Sequence, residues 1–410
     1  MPSINLLAIF NPSNSWRSGY ITLPWQPIYQ QFQIPPEELV LSDLRDLSHT
    51  QIHAQVDRVD PEDSSRDVLV FSLQKPIPPN LEDGRLASGF VRVDRGKPMP
   101  AKLGEPSLEV VYGTSGQARG VRLVNNHLIV WFNLIPAPED NQHNWFSGSA
   151  TSVQLDHQEI LDPFLAARGE WLGQDPEKRC MQVAELLLPG PPHPKSPYYH
   201  VSLFNHSYRL ISQSSGPVRA SMTIASEPFD YMGADPDTGN NRHFVCELYR
   251  VISLYAGANY LIEELFIKAK PKGEEDRIID GKQVTNLYFA PRYFAHMNMG
   301  QTEDIQQVFP VPDWFAVGST TSPYPAYGLA TDVHIDAVTH PQEGNKSRFC
   351  WQLLPGKSAK CLHLFMRGQV GEFDARVGHL WYELFYQPLK AEIYQEASTK
   401  VVTESAFALP

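Results

Sequence analysis

Between residues 288 and 336 the chain gathers Tyr, His, Arg and Asp with aromatics between them, in YFAPRYFAHMNMG, VPDWF and YPAYGLATDVHID. This mixture suits a sugar site. Aromatic faces pack on the apolar C–H face of a pyranose, and charged or amide groups bind its hydroxyls. The bland alternative is an aromatic-rich core with satisfied polar tips. The densest cluster is Asp332-Val333-His334-Ile335-Asp336. On a strand, residues i, i+2 and i+4 share a face, which aligns Asp332, His334 and Asp336 and turns Val333 and Ile335 the other way. Carboxylates beside an imidazole tune it for general acid–base work. Three readings stand: acid–base or sugar contact, a metal site completed from elsewhere, or a polar face in solvent. Alternate strand positions lie roughly 6.5–7 Å apart, so the three together reach one small ion poorly.

Arg292, Tyr293 and His296, in APRYFAH, form a second cluster. β-Elimination on an acidic sugar needs a group to neutralise the uronate carboxylate, a base for the C5 proton and an acid for the leaving oxygen. Arg suits the first by its fork geometry, and His and Tyr suit the others. If the segment is a strand, Arg292, Phe294 and His296 share a face and Tyr293 points away. Catalytic roles are therefore expected of His296, His334, Tyr293 and Asp332. Substrate contacts are expected of Arg292, Arg250, Arg219, Trp314, Tyr327 and Asp336, although Trp314, like Trp16 and Trp25, is of a type that more often fills a core. Glu263 and Glu264 are adjacent on a strand and should point to opposite faces, so they do not form a working pair. No metal and no cofactor is expected. The chain has no GxGxxG, P-loop, nucleophile elbow or HExxH, which removes support for dinucleotide, NTP, elbow-hydrolase and zincin chemistry.

The elements that must position these residues are strands. Residues 215–270 alternate apolar residues with Arg, Glu, Thr and Ser, punctuated by Gly-Pro and Ala-Gly-Ala. That pattern predicts long antiparallel strands with one packed and one polar face, the polar one carrying Arg219, Glu247, Arg250 and Glu263. The 35 prolines suit a strand-and-loop protein. The fold expected is all-β: a small N-terminal β-barrel or sandwich domain over residues 1–107, then a large antiparallel β-supersandwich over 108–410. Strands are read at residues 19–25, 67–74, 89–96 and 120–134, the last a hairpin turning at Asn125-Asn126. Residues 97–107 read as a linker, and short helices are admitted at 37–47 and 163–172.

Net charge is −12 with no Lys/Arg block, which argues against nucleic-acid or anionic-membrane partners. No run reaches the ~18–20 apolar residues that span a bilayer. The start lacks a basic n-region and reads as a first strand, so a cytoplasmic location is expected. The four cysteines are expected to be free thiols. Cys350 and Cys361 would face each other if residues 347–367 form a hairpin at Pro355-Gly356.

The segment NPSNSWRSGYITLPW resembles the small β-domain that begins bacterial exo-rhamnogalacturonan-lyase-type proteins. The patterns GVRLVNNHLIVWFNL, SGPVRASMTI and VISLYAGANYLIEELF resemble the sheets of that family and of the galactose-mutarotase-like supersandwich. The resemblance covers residues 8–30 and 118–268 and implies a carbohydrate-active protein. The chain has no room for the lyases' helical toroid, so no catalytic residue transfers. Two functions are carried forward: a lyase acting on an acidic oligosaccharide, and a glycan-binding or assembly protein without turnover. A small-molecule biosynthetic enzyme reusing the fold is a third.

Overall fold

Period-two patterning becomes antiparallel sheet over most of the described residues. In this computed structural model the described residues are 5–45, 48–79, 87–100, 105–135, 147–148, 150–159, 182–193, 196–202, 206–234, 241–271, 292–298, 305–311, 313–319, 325–333, 335–340, 346–352, 358–367 and 370–394. The protein is all-β, with several antiparallel sheets and no closed barrel among the described residues.

The N-terminal unit is a two-sheet sandwich. One sheet holds β1 (Leu6–Phe10), β3 (Leu39–Asp43), β4 (Gln51–Ile52), β7 (Gly89–Arg95) and β27 (Lys390–Tyr394), in the order β27-β1-β7-β3-β4. The other holds β2 (Arg17–Pro24), β5 (Ala54–Asp57) and β6 (Val68–Ile77), in the order β2-β6-β5. Leu7, Ile9, Leu69, Phe71, Val91 and Val93 close the core between them, together with Leu389 and Ala391 from the far end of the chain. The C-terminal strand thus completes the first sheet by pairing Leu7 with Ile393 and Ile9 with Ala391. The helix expected at 37–47 is absent over its described residues 37–45: a 3-10 turn at Pro36–Glu38 leads straight into β3, whose five residues are all buried; the one expected at 163–172 lies outside the described residues. The helix of this unit is α1 (Trp25–Phe32), stopped by Gln33 in the left-handed region at φ 53°.

The large unit is built on a nine-stranded sheet. Its strands are β15 (Tyr208–Ser215), β16 (Arg219–Ser226), β17 (Phe229–Ala234), β18 (Asn241–Tyr255), β19 (Tyr260–Pro271), β21 (Ile305–Val311), β22 (Trp314–Ser319), β23 (Pro325–Thr331) and β26 (Ala359–Arg367). They order as β15-β16-β18-β19-β26-β23-β22-β21, with β17 beside β18. A five-stranded sheet of β8 (Ser107–Tyr112), β9 (Ala118–Val124), β10 (Leu128–Asn133), β11 (Ala150–Leu155) and β12 (Gln158–Glu159) covers one face. There Met222, Ile224, Leu248, Ile252, Leu261 and Leu265 pack on Val121, Leu123, Val130, Phe132 and Val153. A further sheet holds β13 (Gln182–His193), β14 (Ser196–Ser202), β20 (Arg292–Asn298), β24 (Ile335–His340) and β25 (Lys346–Gln352), ordered β14-β13-β20-β25-β24.

The opposite face of the nine-stranded sheet carries the N-terminal unit and α2 (Val370–Trp381). Val377 of α2 packs with Trp314, Ala316, Ala330, Leu362 and Leu364. Gly328 permits the close approach, since a Cβ there would sit 2.2 Å from Val377 Cγ2. The expected hairpin at Asn125-Asn126 is present between β9 and β10. Asn125 closes it by accepting from the backbone N–H of His127 at 2.9 Å and Leu128 at 2.7 Å. Its amide also donates to the carbonyls of Tyr255 and Ala258, both at 2.7 Å, tying the two sheets.

Two expectations are corrected. Cross-strand partners in an antiparallel pair face the same side. With Arg219 opposite Tyr255, Arg250 opposite Leu265 and Glu263 opposite Ile252, the four charges do not share a face. Arg219 and Glu247 lie on the outer side, Arg250 and Glu263 in the sandwich core. Nor do Cys350 and Cys361 face each other. β25 pairs Cys350 with Phe294 and Asp336, while β26 pairs Cys361 with Glu263 and Thr331 in the other sheet. Cys246 and Cys361 are free, buried thiols.

Candidate functional site

A cleft of about 400 Å³ opens where β2 and β6 of the N-terminal unit meet the outer face of the nine-stranded sheet. The sheet sets the wall by register. Val251 pairs with Glu264, and Glu264 in turn with Lys360, so their side chains alternate outward with Ser253, Tyr255, Ile262 and Phe266. The N-terminal unit adds Arg17, Tyr20 and Arg66, and the turn following α2 adds Glu383 and Phe385.

The wall is held by polar ties between the units. Gln55 accepts from the backbone N–H of Val218 at 2.9 Å and of Arg219 at 3.0 Å, and returns a bond to the Arg219 carbonyl at 2.9 Å. The Arg219 guanidinium donates to Asp57 at 2.5 Å and to the Tyr255 hydroxyl at 3.0 Å. Burial alone would favour loss of the Arg219 proton, but Tyr255 and Asp57 outweigh it and raise the group further. Arg17 pairs with Glu383 at 3.1 Å, Arg66 with Asp63 at 3.3 Å, and Arg66 also lies 4.0 Å over the Phe266 ring. The Tyr20 hydroxyl donates to the Ala256 carbonyl. Burial pushes the Tyr20 phenol up to about 12 and the Tyr260 phenol higher still, so both remain protonated donors.

At the centre of the wall, Lys360 Nζ lies 3.6 Å from Glu264 Oε2. Glu264 Oε1 is buried and has no hydrogen-bond partner. Asp332 accepts from the backbone N–H of Lys360 at 2.7 Å. Packing around Asp332 raises its carboxyl to about 6, against the pull of Lys360 and with a push from Glu264. Asp332 nonetheless keeps exposed surface.

The residues singled out in the sequence are divided among places. Arg292, Tyr293 and His296 lie on β20, opposite Gln352, Trp351 and Arg348, and Asp336 lies two strands away opposite Cys350. His334 falls outside the described residues. The run from Asp332 to Asp336 is not one strand: β23 ends at Thr331 and β24 begins at Ile335 in another sheet. The alignment of Asp332, His334 and Asp336 on one strand face therefore does not hold. Arg219 lines the cleft. Arg250 is buried in the core, where it donates to Glu263 at 2.5 Å and to the Gly148 carbonyl. Tyr327 is buried with its hydroxyl 2.7 Å from His363 Nδ1. Trp314 is buried against α2. These last three line none of the described clefts.

Sequence reasoning weighs Glu264 only as half of an adjacent pair with Glu263 and does not single out Lys360. The alternation of Glu264 with buried Glu263 and Leu265, and of Lys360 with buried Ala359 and Cys361, is visible in the sequence. The strand pairing that sets them opposite each other joins positions about a hundred residues apart.

No protein-family model matches the chain, and no curated protein matches it. Among solved structures it is similar to an alpha-mannosidase from Enterococcus faecalis V583, with 11% identity, a TM-score of 0.47, and coverage of 98% of this chain and 47% of that one. It is similar also to a protein in the glycosyl hydrolase family 38 from Enterococcus faecalis, with 10% identity, a TM-score of 0.47, and coverage of 98% and 48%. The chain spans about half the length of these two structures. Neither is described as a lyase or as a mutarotase-like protein of the kind the sequence resembles.

Proposed function

We propose that this cleft binds an acidic sugar and that the protein is carbohydrate-active, with β-elimination on an acidic oligosaccharide as its reaction. The observation that carries the reading is the Glu264–Lys360 pair in a cleft of this size: a carboxylate and an ammonium side by side, both partly exposed to the cleft. The carboxylate of Glu264 can accept from a sugar hydroxyl, and a uronate carboxylate suits Lys360. Arg17, Arg66, Arg219 and Lys360 line the cleft against Glu264 and Glu383, in a chain of net charge −12. Each of the four cations lies beside a carboxylate, Glu383, Asp63, Asp57 and Glu264 in turn, so an acidic ligand would bind by taking the place of one of these partners. Tyr20, Tyr255 and Tyr260 supply aromatic faces with phenolic tips.

Roles follow from the chemistry. Lys360 and Arg66 hold the carboxylate, Asp332 takes the proton, and the Tyr260 phenol serves the leaving oxygen. A second reading, glycan binding without turnover, is favoured because exposed Asp332 is not among the residues lining the cleft and because ion pairs fix Arg17, Arg66 and Arg219. Calorimetric titration with a panel of neutral and acidic oligosaccharides, followed by far-ultraviolet absorbance for an unsaturated uronate, tests both. Binding of an acidic glycan that Glu264→Gln and Lys360→Met each weaken at least about tenfold, the scale of one charge-assisted hydrogen bond, supports the site. Appearance of the chromophore separates lyase from binder. Binding left unchanged in both variants would remove the cleft from consideration.

A further inference from the structure

We infer that Glu263, Cys361 and His363 form a buried transition-metal site of the borderline-soft class to which Zn²⁺ belongs. They lie in the core of the large sandwich, on the face of the nine-stranded sheet opposite the cleft. Glu263 and Cys361 are direct cross-strand partners on β19 and β26, and His363 follows two residues on, on the same side. All three are buried. One donor atom from each lies within 4.8 Å of the other two. Cys361 Sγ is 3.3 Å from His363 Nε2, which is 3.0 Å from Glu263 Oε2. Tetrahedral zinc with bonds of about 2.0–2.3 Å holds such donors roughly 3.3–3.6 Å apart. The two spacings to His363 Nε2 need only a few tenths of an ångström to accept an ion.

Hydrogen bonding alone serves this arrangement poorly. Nε2 carries at most one proton, yet a thiol and a carboxylate both address it. If Nε2–H donates to Glu263, the sulfur shares that proton only weakly. If the thiol donates to Nε2, the imidazole lone pair faces a carboxylate oxygen at 3.0 Å. A cation at the common focus satisfies all three lone pairs. The surroundings are those of an oriented ligand set. The Tyr327 hydroxyl sits 2.7 Å from His363 Nδ1 and fixes the ring. Arg250 occupies the other oxygen, Glu263 Oε1, and offsets charge. Mixed S, N and O donors suit Zn²⁺, whereas Ca²⁺ and Mg²⁺ take oxygen. With no exposed approach to the donors, the ion would enter as the chain folds, and its affinity becomes part of folding stability. The site is independent of the sugar reading.

The test uses the full chain produced in zinc- or cobalt-supplemented medium and assayed by elemental analysis and absorption. The inference predicts stoichiometric metal and, with Co²⁺, a thiolate-to-cobalt charge-transfer band. Both should be lost in Cys361→Ser and retained in Cys246→Ser. Tyr327→Phe should keep the band but weaken metal affinity by about 10–100-fold, the cost of removing an orienting partner. The wild-type spectrum needs no variant to fold. Absence of both metal and band from the wild-type chain, or metal unchanged in Cys361→Ser, would overturn the inference and leave the cluster as a buried ion-pair network.

Discussion

Glu263 and Glu264 are neighbours with opposite fates. Burial opposes ionisation of Glu263, but Arg250 and His363 outweigh it and bring its carboxyl down to about 2. A carboxyl lowered on folding stabilises the native state above its unfolded value of about 4.3, and that contribution fades as pH falls toward 2. Arg250→Met removes the partner and leaves a buried charge, so it should cost about 3–5 kcal/mol in denaturant titrations near neutrality and remove this acid limb. Asp332 runs the other way. Its raised carboxyl favours the folded state below the unfolded value of about 3.9, and that preference is lost as pH rises through about 6. If Asp332 is the proton acceptor, turnover should climb with pH through that same range, and Asp332→Asn should lower the rate by about 10²–10⁴-fold. A pH–rate profile measured beside circular dichroism checks both. At this scale the sequence showed that Glu263 and Glu264 cannot work together. It did not show which of them meets the cleft, because facing is set by strand pairing at long range.

Strands were largely legible. The strands read at 19–25, 67–74, 89–96 and 120–134 correspond to β2, β6, β7 and the β9–β10 hairpin, with Trp25 instead opening α1, because β-branched and aromatic residues alternate with polar ones there. The misreadings share one cause. DVHID alternates but spans a crossing between two sheets, and 347–367 holds two strands that do not pair with each other. Local pattern reports extended backbone and not its partner. Helix α2 was missed because VGEFDARVGHLWYELFY is rich in aromatics, although Val377, Leu380 and Trp381 follow helical spacing. Its packing gives a prediction: Gly328→Ala drives a Cβ into Val377 and should lower stability by about 1–3 kcal/mol through overpacking. The β9–β10 hairpin gives another. Asn125→Ala strands the Tyr255 and Ala258 carbonyls and should cost about 1–3 kcal/mol, seen as a lower thermal midpoint with unchanged far-ultraviolet dichroism.

Across the molecule, the outer face of the nine-stranded sheet acquires a site only because the N-terminal unit is clamped onto it by Gln55, Asp57 and Arg219. That long-range assembly, including the return of β27 to pair with β1, could not be read from local patterns. The residues first suspected divide between this sheet and the one carrying Arg292, Tyr293, His296 and Asp336. The most direct measurement is therefore a crystal structure with an acidic oligosaccharide soaked in. The account predicts density in the cleft, with a sugar hydroxyl on the Glu264 carboxylate and a carboxylate on Lys360. Density against β20 and β24, with the cleft unoccupied at saturating ligand, would contradict it.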